Sequence, residues 1–250
     1  MKNLLDCIMD IGEEMLFSGA EVHRVEDSVV RMCTALGATR TDVFIITSSM
    51  VVTIHTNDGK THTQTRRITS STMDFERLHH LNQLSREICE QKLDENEIRT
   101  RLAKAKQCKT YPFWLECLCY AAIAGAFTLF FGGGVSETFV SFFTGALVRV
   151  GILLCNRVIA NKIFQKFISA IVATLIAFLA VKLSLVPNVD KIIIGNIMSL
   201  IPGIGLTNAL RDLFTGDSIA GILRVVEAVL TALAIAAGYF IVSVLGGIVL

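Results

Sequence analysis

This sequence has no surplus of charge: 23 Lys and Arg face 22 Asp and Glu, for a net of +1. That balance argues against a nucleic-acid partner, whose recognition calls for a basic face. Cys7, Cys33, Cys89, Cys108, Cys117, Cys119 and Cys155 form no CxxC pair and no Cys/His ligand spacing. No metal is therefore expected, and the cysteines read as free thiols in a reducing compartment. A P-loop, a Rossmann glycine fingerprint and a Ser/His/Asp spacing are all missing, so the chain is expected to be no enzyme and to need no cofactor. The N-terminal stretch is not expected to be a secretory signal, because Asp6, Asp10, Glu13 and Glu14 punctuate the region where its apolar core would lie.

Charge is also unevenly spread. Residues 1–110 hold 15 of the 23 Lys and Arg and 16 of the 22 Asp and Glu, leaving 8 and 6 for residues 111–250. The first part reads as a small cytosolic α+β domain. Leu4, Leu5, Ile8, Ile11, Met15 and Leu16 follow helical spacing, and Val22, Val25, Val29, Met32 and Leu36 make a second stripe that Gly37 caps. Residues 42–47, 50–56 and 60–68 are rich in Val, Ile and Thr and read as strands, with Asn57-Asp58-Gly59 as a hairpin turn. Residues 74–90 and 94–106 read as two polar amphipathic helices. Of the histidines, His55 and His62 are expected to oppose each other across the hairpin. Glu76 and His80 lie one turn apart without a third ligand at a suggestive spacing, so a solvated helix face is the better reading.

The second part reads as a transmembrane domain of five helices. A bilayer core of ~30 Å needs ~20 apolar helical residues, and five stretches qualify: 112–131, 138–155, 167–186, 192–210 and 225 to about 247. The first opens on Tyr111, Phe113 and Trp114, a set typical of a membrane interface. With residues 1–110 in the cytoplasm, Arg157, Lys162, Lys166, Arg211 and Arg224 also fall inside. The outer connections 132–137 and 187–191 then carry a single Lys or Arg, Lys191, as the positive-inside rule asks. Small-residue spacings in the last helix, such as Ala234 with Gly238, allow a homo-oligomer.

The fourth stretch is broken. Pro202, Gly203 and Gly205 interrupt it near its middle, and Asn196, Ser199, Thr207 and Asn208 surround the break. Proline removes a backbone donor and clashes with the preceding turn, and in lipid the freed groups must be satisfied by protein, water or a ligand. A discontinuous helix with polar side chains at mid-depth is a common way to build a transport site. A silent proline kink is the competing reading. Arg149 lies inside the second helix, where a lone arginine costs ~2.5–3.5 kcal/mol, so it should face protein or water. Arg149 is assigned to a substrate carboxylate, and Glu227 and Asp212 to proton coupling. Glu116 and Arg211 read as interfacial charges.

Three ordered motifs then resemble the threonine/serine exporter family of the ThrE/YjjP type. They are Gly19-Ala20-Glu21-Val22-His23-Arg24-Val25-Glu26, the run from Ile201 through Pro202 and Gly203 to Asp212, and Gly216-Asp217-Ser218 with Gly221, Arg224 and Glu227. The resemblance covers essentially the whole chain. It implies a multi-pass exporter in the bacterial inner membrane, driven by the membrane potential or a proton gradient, for threonine, serine or succinate-like carboxylates. Long members continue into a second hydrophobic unit. The resemblance therefore implies a split system, in which a second small membrane subunit supplies the other half. It assigns no residue-level mechanism. The rival from another class is a membrane sensor whose cytosolic domain binds a ligand or partner, but a sensor does not need polar groups at a broken helix. A membrane-bound hydrolase is a weaker rival, for want of any catalytic spacing.

Overall fold

The computed structural model describes residues 2–91, 93–107, 111–159 and 161–249. The expected boundary after residue 110, and Cys108, lie outside them. The chain forms two compact units. One joins Met1–Lys109 to Gly205–Val225, and the other joins Thr110–Ile204 to Val226–Leu250.

The first unit starts with α1 (Lys2–Phe17) and α2 (Val22–Ala35), whose apolar stripes fall where the spacing predicts. An antiparallel sheet follows in the order β1 (Ala38–Ile46), β2 (Ser49–Thr56), β3 (Thr61–Arg67). Met50, Val52 and Ile54 alternate along β2 and bury one face against the helices. The helices α3 (Phe75–Gln91) and α4 (Glu95–Lys106) complete the cover. Asp94 opens α4 with a capping box, accepting from Glu97 N at 2.8 Å while its own N–H donates to Glu97 at 3.2 Å. Leu5, Ile8, Met15, Val29, Met50, Ile88 and Ile98 meet in one core. Around its rim, Arg66 of β3 pairs with Asp6, with Asp10 at 3.1 Å and with Glu13 at 3.7 Å on α1.

One strand pairing departs from expectation. His55 lies opposite Thr61, and His62 opposite Ile54. A two-residue turn would have set the histidines against each other. Thr56 N instead donates to Lys60 O at 3.0 Å, so three residues, 57–59, make the turn, with Gly59 at φ +75°, and that odd length shifts the pairing by one and sends the two rings to opposite faces.

This unit also contains most of α9 (Gly203–Thr215) and the start of α10 (Ser218–Val249). Gly216, at φ +101°, turns the chain between them. Gly221 lets the two helices touch: a Cβ there would lie 3.0 Å from Ala209 O and 2.6 Å from Leu213 Cγ. Ala220 joins the core of the unit.

The second unit is helical: α5 (Phe113–Phe130), α6 (Val135–Asn156), α7 (Lys162–Lys182), α8 (Val189–Met198) and the remainder of α10. Four helices, α5, α6, α7 and α10, are long and apolar enough to cross a membrane, and α8 with α9 forms a further pair bent by 54° at its break. The side chains at the rim are Phe130, Phe139, Phe143, Leu175, Leu233 and Phe240, all exposed, as expected of a lipid-facing surface. Inside, helices meet through small residues. A Cβ at Gly145 would lie 2.6 Å from Tyr120 O, one at Gly195 2.7 Å from Ala124 O, and one at Gly238 2.6 Å from Phe167 O. Gly238 is thus buried against α7 of its own chain.

Helix ends differ from the expected apolar windows because helices run on into their caps. Helix α7 begins at the Asn161 cap, whose side chain accepts from Ile163 N and Phe164 N. Helix α10 begins at Ser218, so Arg224 lies within a helix rather than in a loop. The described cysteines are free, and burial pushes the Cys33 thiol up to about 12, which leaves it inert.

Candidate functional site

Within the second unit, α5, α6 and α8 enclose a small polar cluster. On α6, Glu137, Ser141 and Thr144 recur at helical spacing and are buried. Thr128 on α5 donates to Ser141 Oγ at 2.7 Å. Asn196 on α8, 0% exposed, donates to the same Ser141 Oγ and to Ile192 O, both at 2.9 Å. Its Oδ1 is buried without a hydrogen-bond partner among the described residues. Such a group loses its hydration and receives nothing in return, at a cost of ~1–3 kcal/mol. Ser199, at the end of α8, donates to Asn196 O at 2.8 Å.

Arg149 is 16% exposed and pairs with Glu116 of α5. Its guanidinium stands 5.5 Å from the Phe113 ring and 5.8 Å from Tyr120, at cation–π distance. Lys166 of α7 is close enough for its charge to act on Arg149, and no carboxylate lies within ion-pair reach of it among the described residues. Glu116 thus serves Arg149, and Lys166 has no carboxylate of its own among the described residues. The neighbouring Val148 packs with Ala170, Ala173, Leu200 and Ile235.

In the first unit, the three motifs noted in the sequence converge. Gly19, at φ +89°, turns the chain between α1 and α2, and a Cβ there would lie 2.9 Å from Thr72 O. The turn presents two carbonyls to the α9–α10 hairpin. Asn208 donates to Gly19 O at 3.4 Å, and Arg224 to Ala20 O at 2.8 Å. Arg224 also pairs at 3.0 Å with Asp212, which is fully buried. Arg211 pairs with Glu21 at 2.9 Å. Next to these, His23, Glu26 and Asp217 bring one ligand atom each to within 4.8 Å of one another. Glu26 accepts from Ile45 N at 3.1 Å. Burial first, and the Asp217 charge second, push its carboxyl above the usual range.

The expected site residues therefore fall into separate settings. Asn196 and Ser199 belong to the polar cluster on α8, and Arg149 to the ion pair with Glu116. Pro202 and Gly203 lie at the break, where a Cβ on Gly203 would meet nothing within 4 Å. Gly205, Thr207, Asn208 and Asp212 belong to α9 in the first unit. Glu227 is exposed on α10. Sequence reasoning missed Glu137, Lys166 and the His23–Glu26–Asp217 group. Glu137 resembles an ordinary acid at a helix start, and Lys166 an ordinary interfacial cation. His23 and Glu26, at i and i+3 on one helix face, gave a signal, but their partner is remote in sequence.

A family model describing threonine/serine exporters (ThrE) matches residues 6–246. The "Probable succinate transporter subunit YjjP" of Klebsiella aerogenes is 27% identical over 236 residues, covering 94% of this chain and 90% of the relative. The "Probable threonine/serine exporter" of Mycobacterium tuberculosis is 24% identical over 243 residues, 96% of this chain and 46% of the relative. The "Threonine/serine exporter" of Corynebacterium glutamicum is 26% identical, covering 91% and 48%. The chain spans nearly all of the first and about half of the other two. No solved structure matches it.

Proposed function

The chain belongs to the threonine/serine exporter family, and from that premise we propose that it is a subunit of a secondary transporter that exports small carboxylate metabolites. Threonine- or serine-like amino acids and succinate-like dicarboxylates are the substrate classes. The protein resides in the bacterial inner membrane with its N-terminal domain in the cytoplasm, and it works with a second small membrane subunit. The name "subunit" borne by the YjjP relative supports the two-component reading.

The observation that carries the carboxylate assignment is Arg149, 16% exposed within the helical unit and set against the single carboxylate of Glu116. An anion entering there exchanges its water shell for fixed cations in a medium of low dielectric. A planar guanidinium can bind a carboxylate with two parallel hydrogen bonds. Asn196 supplies an unused acceptor, Oδ1, suited to the ammonium or hydroxyl of an amino acid. Ser199, Pro202 and Gly203, at the break between α8 and α9, are assigned to substrate entry, and Gly205, Thr207 and Asn208 on α9 to substrate contact. Asp212 and Glu227 are the proton carriers in this reading, Asp212 because protonation would release Arg224 from it.

The test is reconstitution into vesicles loaded with labelled serine, threonine or succinate, with the chain alone and with a small co-encoded membrane protein. Efflux of one of these from the pair supports the assignment. Absence of efflux from both preparations, with ligand binding to the intact chain, would establish a sensor instead.

A further inference from the structure

The geometry points to a binding site for a divalent first-row cation, of the zinc or manganese class, formed by His23, Glu26 and Asp217. It is independent of the transport reading. The three side chains come from two places remote in sequence, α2 and the turn between α9 and α10, within the same compact unit. His23 and Glu26 stand at i and i+3 on α2, a spacing that sets two side chains on one helix face. Asp217 is delivered by the Gly216 turn, with its N–H donating to Asp212 O at 2.9 Å.

Several observations single this group out from an ordinary cluster of surface charges. Its three ligand atoms already lie within 4.8 Å of one another. A metal with bonds of about 2.0–2.2 Å holds neighbouring ligands about 3–3.5 Å apart, so binding asks these atoms to close by no more than about 1–2 Å. Asp217 Oδ2 is out of contact with solvent and has no hydrogen-bond partner among the described residues. Asp217 occupies the cap position before α10, where an aspartate ordinarily spends its oxygens on the first N–H groups, yet this oxygen is unused. Glu26 is oriented by Ile45 N–H.

Charge compensation is also missing among the described residues: no lysine or arginine lies within ion-pair distance of Glu26 or Asp217. The nearby Arg224 and Arg211 are engaged by Asp212 and Glu21. Two carboxylates and an imidazole are a borderline-hard donor set, which suits zinc or manganese better than copper(I) or an alkali ion. Three protein ligands leave room for water. The bound ion would fasten α2 to the α9–α10 turn and add a coordination tie where the family motifs converge.

The experiment uses the full chain in detergent, stripped with EDTA and titrated separately with zinc and with manganese chloride. Calorimetry and elemental analysis after gel filtration give affinity and stoichiometry. The expected result is about one ion per chain, with affinity at least about tenfold weaker in Glu26→Gln, Asp217→Asn and His23→Gln. A His79→Ala/His80→Ala control should leave affinity unchanged. No ion retained by the unaltered chain, or equal affinity in Glu26→Gln and Asp217→Asn, would overturn the site. X-ray absorption on the zinc-loaded unaltered chain covers the case in which those variants do not fold. One imidazole with oxygen neighbours is expected, and none or several imidazoles would overturn it.

Discussion

The two units solve the same packing problem in different ways. The first has a core of large side chains, Leu5, Ile8, Met15, Met50 and Ile88, and fastens remote segments with ion pairs such as Arg66 with Asp10 and Arg224 with Asp212. The second has few charges, and its helices approach through Gly145, Gly195 and Gly238 until backbone meets backbone. In water, burying apolar bulk drives association. In lipid that drive is absent, and close contact between small residues replaces it. What the difference teaches is where charge carries information: ion pairing is routine in the first unit, whereas a charged group inside the second is uncommon and requires a reason, its buried polar groups being mostly hydroxyls that bond to nearby backbone.

The comparison can be broken most severely in the first unit. Arg224→Met leaves Asp212 buried without its cation and should cost about 3–5 kcal/mol, read as a lower midpoint of thermal unfolding of the full chain in detergent. Adding Asp212→Asn should recover much of that loss. Next comes Ile8→Ala, at the centre of the first core, with an expected loss of about 2–5 kcal/mol.

In the second unit, Gly195→Ala forces a methyl group against Ala124 O, and overpacking of this kind costs about 1–3 kcal/mol. Gly203→Ala meets nothing within 4 Å and should stay within about 0.5 kcal/mol of the parent. Equal losses in the two would mean that backbone approach does not hold this unit together.

The smallest effect is pH-dependent. The hydrogen bond from Arg66, opposed by burial and aided by Arg99, holds the Asp6 carboxyl below its ordinary value of 3.8. A lowered carboxyl stabilises the fold above the ordinary value, and the gain is lost as pH falls through the folded-state value. Thermal melts should therefore fall off below about pH 4, and Arg66→Met should flatten that limb slightly, since the pair is partly exposed and screened.

Much of this architecture was legible in the sequence. The stripes of α1 and α2 and the strands around Asn57-Asp58-Gly59 follow from local periodicity and turn chemistry, and the broken pair α8–α9 from Pro202 and its glycines. The offset of His55 from His62 was not legible, because a hairpin's register depends on one residue of loop length. The early start of α10 was masked by Arg224, which reads as a loop cation until Asp212 is seen beside it. The sites were least legible. Arg149 announces itself as a charge in an apolar run, but that Glu116 pairs with it, and that Lys166 lies close by, depends on how α5, α6 and α7 pack. Likewise Asp217 meets His23 and Glu26 only through the α9–α10 turn.

The most direct test of the carboxylate assignment compares Arg149→Ala and Arg149→Lys with the parent chain in vesicles containing its partner subunit, measuring efflux of the labelled substrate. Insertion and yield serve as controls. Efflux should fall at least about 100-fold in Arg149→Ala, equivalent to ~2.7 kcal/mol of lost transition-state stabilisation. Arg149→Lys, which keeps the charge but not the paired donors, should retain part of the activity. Unchanged efflux in a properly inserted Arg149→Ala chain would contradict the assignment.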